Sequence, residues 1–356
     1  LNKNILKMII NNRPIKLLHI ADMHQRHSGR LFYGTGKKIN NGFIKNNINV
    51  VQISDRDFLQ TNIFNYKKKN FLNYIITTIV NFNPDIVLFG HVDSLNLNDL
   101  FELKNQFKKI SFSQYFLDTL DKNFENFEHH KNRFFLKYQI CDANFITTDP
   151  SVLEFIDKSK TFFIPNVCDA SIDVLENFKY ENLKYDIFFA LSHGQHRGYL
   201  KKGYIDERVN FLEKIKDESI KTNFFGIDKQ PIWGQNFFNE ISESKMGLNY
   251  NRGDPIKYYS SDRICSLIAN GLLTFLQKGY AYEDFFENNK HVVYFDGIED
   301  LKDKIKFFSS NFKERSLLAL NGKKQYFKLF ENYQITEYMI NKITDKNNQN
   351  SYLWMN

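Results

Sequence analysis

The stretch Ser244-Lys-Met-Gly-Leu-Asn-Tyr-Asn-Arg252, followed by Tyr259-Ser-Ser-Asp-Arg-Ile-Cys-Ser-Leu-Ile-Ala-Asn-Gly-Leu-Leu-Thr-Phe275, decides the fold. An apolar run at 246–250 gives way to polar residues, as a buried strand does where it leaves a sheet. Ser260, Ser261 and Asp262 then offer N-cap side chains to a helix over about 261–270. Gly271 follows as a C-cap, and Leu272–Leu276 is a second buried strand. Strand, helix and buried strand in succession make a βαβ unit of a parallel sheet.

The same alternation extends in both directions. Strands are expected at 185–191, 222–226 and 292–295, with helices at about 206–217, 234–244 and 298–309. An earlier series has strands at 16–22, 49–54, 85–90, 110–116, 143–147 and 162–166, with a helical stretch at about 66–82. Pro84 fits there, because proline is tolerated at a strand start. Between the two series, 168–184 is polar and reads as a linker. A chain of 356 residues exceeds what one core usually holds, about 250–300. The expected architecture is α/β, with two Rossmann-like domains, 1–176 and 177–356, facing a central cleft. The apolar tail at about 313–344 reads as a long helix crossing back to the N-terminal domain. In open α/β sheets ligands sit beyond the carboxyl ends of the strands, so the cleft is the expected site.

Composition narrows the classes. The net charge of +7 is mild, and basic residues are scattered among acids. Nucleic-acid domains concentrate their charge on one element, so no nucleic-acid partner is expected. Peripheral contact with the inner face of a membrane is compatible with the charge. No run reaches the roughly 20 apolar residues of a membrane span, and the start lacks a signal-peptide core, so the expected location is cytoplasmic. Cys141, Cys168 and Cys265 are far apart and read as buried thiols, without zinc-ligand spacing.

Three clusters could carry chemistry. Arg263 falls in the first turn of its helix, where a cation is locally unfavourable. An anion docked there would use the free N–H groups and the guanidinium together; a salt bridge to Asp262 or Asp254 is the plainer reading. If the anion reading holds, losing Arg263 should weaken binding and leave stability nearly unchanged. Asn249, Arg252, Ser261 and Ser266 accompany it. The second cluster, His193, Gly194, Arg197, Lys201 and Lys202, follows the strand at 185–191 and suits a diphosphate, against the alternative of a solvated basic turn. The third follows the first strand. Asp22 or His24 could serve there as a general base, with His91 a further candidate, while His19 alternates into the strand and reads as structural. The same Asp/His mixture, with Gly90-His91-Val-Asp93, also resembles a metallophosphoesterase site, but lacks the full ligand set. Asp55-Arg-Asp57 formally matches a metal-binding DxD and reads as a cleft rim or loop, so no metal is expected. His129-His130 read as solvated.

The ordered set Ser-Lys-x-Gly-Leu-Asn, Ser-x-Arg263, Ala-x-Gly271, Glu-Asp-Phe-Phe286 and His-Val-Val-Tyr-Phe295 resembles the C-terminal half of the CgeB-like, spore-maturation-type glycosyltransferases of the group-1 GT-B superfamily, over about 185–342. The resemblance implies a nucleotide-sugar donor in the C-terminal domain, a glycan, lipid-linked sugar or protein acceptor on the N-terminal side, and no cofactor. Arg263 stands at the family's arginine. Family members carry a glutamate three residues later, thought to hold the donor ribose; here it is Ser266. A non-catalytic nucleotide- or sugar-binding protein is the alternative from another class.

Overall fold

The computed structural model describes residues 9–10, 13–60, 68–192, 206–227, 229–344 and 352–354. It divides into two compact units: Leu1–Asp169 with Phe330–Asn356, and Ala170–Leu329. The sequence reading placed the division between 176 and 177.

The first unit holds a six-stranded parallel sheet built from β1 (Lys16–Ile20), β2 (Asn49–Ile53), β3 (Ile86–Phe89), β4 (Ser111–Phe116), β5 (Ala143–Ile146) and β6 (Thr161–Phe163), in the order β2-β1-β3-β4-β5-β6. Its helices are α1 (Thr35–Lys45), α2 (Asp55–Gln60), α3 (Lys68–Phe82), α4 (Leu97–Gln106) and α5 (Phe127–Tyr138). All four residues of β3 are buried. That is why the strand reads as an unbroken apolar run, Ile86-Val-Leu-Phe89: both faces of a parallel sheet are covered.

The second unit repeats the plan. Its strands are β7 (Tyr185–Ala190), β8 (Thr222–Phe225), β9 (Ser244–Asn249), β10 (Leu273–Gln277) and β11 (Val293–Phe295), all parallel, in the order β8-β7-β9-β10-β11. The helices are α6 (Arg208–Ile215), α7 (Gln235–Ser242), α8 (Arg263–Ile268), α9 (Ile298–Ser310) and α10 (Phe312–Phe330). Gly271 ends α8 at φ +78°, and a Cβ there would lie 2.8 Å from the Phe178 ring. Glycine therefore serves both the left-handed turn and the close packing.

Two expectations need correction. The tail is two helices, because α10 stops at Phe330 and α11 (Asn332–Ile343) begins after Glu331. Glu331 is extended and bridges Cys168: the Cys168 N–H donates to Phe330 O at 3.0 Å, and Asn332 N–H to Cys168 O at 2.9 Å. That backbone pairing takes the carbonyl at the end of α10 and breaks the helix. From Phe330 onward the chain lies in the first unit, where α11 packs on α1 and buries Ile335, Tyr338, Met339 and Ile340. The stretch 168–184, read as a linker, is anchored instead. Asp169 is fully buried and accepts from Asn41 Nδ2 at 2.7 Å and Lys45 Nζ at 3.0 Å. Asn177 is buried and donates to Ile241 O and Ser244 O.

The three cysteines are buried thiols outside any disulfide. Among the described residues no helix is long and apolar enough to cross a membrane.

Candidate functional site

Strand order reverses between β7 and β9 in the second unit, and ligands of such sheets bind beyond the carboxyl ends at that point. Arg263 spans it. Its Nε donates to Ala190 O at 3.1 Å, at the end of β7, and its Nη1 to Tyr250 O at 3.1 Å, just past β9. Asn249 Oδ1 lies 3.5 Å from Nη1, and the guanidinium carbon sits 4.5 Å from the centre of the Phe189 ring. The residue is only 8% exposed. Among the described residues it pairs with no carboxylate, and Nη2 has no acceptor. Burial, then the neighbouring Arg208, bring its pKa down to about 9. A buried cation satisfied only by carbonyls is costly, and an anion at Nη2 would relieve it.

This geometry corrects one expectation. Arg263 is not a surface cation that can be lost at little cost to stability: it ties two strand ends together. The salt bridge to Asp262 or Asp254 is also not formed. Asp262 is the N-cap of α8 but makes no side-chain cap bond. Ser260 Oγ instead accepts from Asn249 Nδ2 at 3.0 Å, and Ser261 N–H donates to Asn251 Oδ1 at 3.1 Å. Ser266 is buried, and its hydroxyl turns back to Asp262 O at 3.3 Å. Arg252 lies 3.7 Å from Glu207.

Sequence reasoning missed Arg208 and Asp206. Arg208 opens α6, grips the buried Asp206 through Nε at 2.7 Å and Nη2 at 2.8 Å, and stands 6.0 Å from the centre of the same Phe189 ring. The signal was present as Asp206-Glu-Arg208 at the head of a predicted helix. Tyr250 stacks on Phe211 of α6 at 4.2 Å beside this group. His193, Gly194, Arg197, Lys201 and Lys202 lie outside the described residues.

In the first unit the order reverses between β1 and β3. Asp22 follows β1, buried, and accepts from Arg26 Nη1 at 2.6 Å, Arg26 Nη2 at 2.8 Å and His24 N–H at 3.0 Å. Burial pushes its pKa up, but these bonds outweigh burial and hold the carboxyl low. His24 has φ 60°, a left-handed conformation uncommon for a residue with a side chain. Its Nδ1 lies 3.2 Å from Asp22 Oδ1, within ion-pair reach but off the hydrogen-bond direction. Such contacts often tighten only when substrate is bound. Burial, which outweighs Asp22, lowers its pKa, so the ring is neutral at pH 7. His24 lines a cavity of about 350 Å³ together with Met23, Gln25, Phe32, Lys37 and Gln52.

The remaining first-unit candidates are committed elsewhere. His91 Nε2 meets the Arg133 guanidinium, so its lone pair is occupied. Arg133 also binds Asp93 at 3.0 Å and Asp118 at 2.9 Å. Burial and then Arg133 lower the His91 pKa to about 4. Asp55 and Asp57 are not an open rim or loop: they are buried in the first turn of α2. Asp57 accepts from the Gln25 and Arg26 N–H groups, both at 2.9 Å, and Asp55 from Asp93 N–H at 3.0 Å. Guanidinium groups thus occupy the carboxylates a phosphoesterase would turn toward metal. Among the described residues no group of three His, Cys, Asp or Glu is placed to hold one. His19 is buried between Asn40 and Tyr115, each at 3.2 Å. His130, expected to be solvated, is half-buried and bonds Thr119 O at 2.9 Å, whereas His129 is exposed.

Residues 208–341 match the model of a family described as glycosyl transferase-like. No curated protein matches the sequence at a significant level. Three solved structures resemble the chain along most of its length. HepE of Anabaena in complex with UDP is 9% identical with a TM-score of 0.55, over 93% of this chain and 100% of that one. Sucrose-phosphate synthase of Thermosynechococcus elongatus is 9% identical with a TM-score of 0.59, over 91% and 97%. A putative UDP-N-acetylglucosamine 2-epimerase of Listeria monocytogenes is 13% identical with a TM-score of 0.51, over 95% and 98%. At such identities the likeness is one of fold, and the fold is GT-B.

Proposed function

We propose that this chain is a CgeB-like glycosyltransferase that moves a sugar from a nucleoside-diphosphate donor to an acceptor hydroxyl without a divalent metal. The observation that carries the reading is Arg263: a buried guanidinium that meets no carboxylate among the described residues, seated at the switch point of a unit largely covered by the glycosyl transferase-like match. HepE, which shares the fold, has been captured with UDP.

In this reading Arg263 receives the diphosphate together with Arg197 and Lys202, which follow β7 in the sequence. A fixed cation in a poorly solvated site stabilises the charge that develops on the leaving oxygen. The bond from the anomeric carbon to that oxygen breaks, and the nucleoside diphosphate leaves with the electron pair. The acceptor oxygen bonds to the same carbon and its proton passes to His24. Asp22, held by Arg26, orients His24. Ser266 in place of a carboxylate implies a weaker hold on the donor ribose.

UDP calorimetry on the purified chain tests the donor site. UDP should bind, and Arg263→Met should lower its affinity roughly ten- to a hundredfold, the worth of a charge-assisted contact. Arg263→Lys should recover part, since lysine lacks the bidentate fork. Unchanged UDP affinity together with a large fall in melting temperature would make Arg263 a strand-end brace and remove the donor site.

A second reading is nucleotide-sugar epimerisation, favoured by the Listeria likeness across 95% of the chain. Incubation with UDP-N-acetylglucosamine, followed by NMR, separates the readings: without an acceptor a transferase slowly passes the sugar to water and forms UDP with the ring configuration unchanged, whereas an epimerase inverts a ring carbon. Binding without turnover would mark a nucleotide- or sugar-binding protein.

A further inference from the structure

The cavity beside His24 carries an uncompensated positive charge. Among the described residues that line it, Lys37 is the cation, His24 is neutral, Gln25 and Gln52 are amides, and none is a carboxylate. The acids beneath it are already neutralised: Arg26 bonds both Asp22 and Asp57, and Arg56 stands 3.4 Å from Asp22. Lys37 sits half-buried in the first turn of α1, a turn with no acidic residue. The helix dipole disfavours a cation there. Among the described residues its ammonium meets no carboxylate.

We propose that the cavity seats an acceptor sugar bearing a negative charge, a carboxylate or a phosphate, with Lys37 as its counter-ion and specificity determinant. This rests on the reading of the first unit as the acceptor side. The volume, about 350 Å³, lies at the lower end of small-molecule sites and suits a sugar unit. Phe32, 39% exposed, offers an apolar face to a ring, and the two glutamines offer donors and acceptors to hydroxyls. His24 stands in the same wall, so an acid group held at Lys37 orients a neighbouring hydroxyl toward the imidazole.

Titration calorimetry of the whole chain with D-glucose, D-glucuronate and D-glucose 6-phosphate tests this. At least one anionic sugar should bind about tenfold more tightly than glucose, and which one identifies carboxylate or phosphate. In Lys37→Met the preference should vanish, and Lys37→Arg should restore it. The preference should also shrink with added salt, because the site is open to water. Equal affinity for the three sugars, no binding of either anion, or a preference that survives in Lys37→Met would overturn the proposal. UDP calorimetry on the same protein keeps the two readings apart. UDP binding without anion preference sinks the cavity proposal alone, whereas absent UDP binding sinks the donor reading.

Discussion

Gly42 lies inside α1, and replacing it with alanine sets two effects of opposite sign against each other. By helix propensity alone, Gly42→Ala should stabilise by about 1 kcal/mol. The structure predicts the reverse. A Cβ at Gly42 would lie 2.5 Å from Asn332 O and 2.8 Å from both Asn332 C and Thr336 Oγ1. Two of these atoms belong to the backbone at the start of α11, which cannot rotate away. To reach ordinary contact α11 has to retreat by roughly 1 Å. That loosens Asn332 Nδ2 to Lys38 O at 2.9 Å, Lys45 Nζ to Asn332 Oδ1 at 3.0 Å and Asn46 Nδ2 to Thr336 Oγ1 at 2.9 Å. Overpacking costs about 1–3 kcal/mol and each weakened bond about 1 kcal/mol. Set against the propensity gain, the net outcome is a loss of about 3–5 kcal/mol, concentrated in the first unit. Hydrogen exchange reads it locally: amides of α11 should lose protection in Gly42→Ala, while those of β9 and β10 keep theirs. A variant that is more stable by about 1 kcal/mol, with α11 unchanged, would refute the packing argument.

Two other perturbations probe the first unit. His19 is fully buried with its pKa lowered to about 4, chiefly by burial. The unfolded chain binds the proton first, so the contribution of His19 is complete above pH 6.5 and is lost as pH falls toward 4. It amounts to about 3 kcal/mol. A denaturant series against pH should show this slope, and His19→Gln should flatten it. Arg26→Met would take the guanidinium from Asp57 and leave Asp22 only the more distant Arg56, at 3.4 Å, costing about 3 kcal/mol near pH 7. The deficit should narrow in acid, where the stranded carboxylates take up protons; a deficit that does not change with pH would contradict the pairing.

The strands were legible because parallel sheets bury both faces and leave continuous apolar runs. Met246 to Asn249 and Leu273 to Leu276 fall where the opening stretch placed them. What sequence lacked was pairing at a distance. Glu331 breaks the tail because its backbone meets Cys168, and no periodicity within 313–344 carries that information. Arg26 bonds Asp57 across 31 positions, so the DxD pair looked open when it was closed. Arg263 was readable as a cation out of place in its helix. That its fork reaches sideways to Ala190 and Tyr250 depends on two strand ends being neighbours, which only the sheet order supplies.

The first unit is discontinuous, and this has a consequence for the chain as it is made. Its sheet is complete once Phe163 has left the ribosome, but α11 arrives only after all of Ala170–Leu329. Until then the apolar floor that receives Ile335, Met339 and Ile340 is uncovered. The second unit is continuous in sequence and can close before the first. The unit that begins first in the chain therefore receives its last element after the second unit is complete. During that interval the first unit keeps an apolar face open, and α11, translated after the whole second unit, is what covers it.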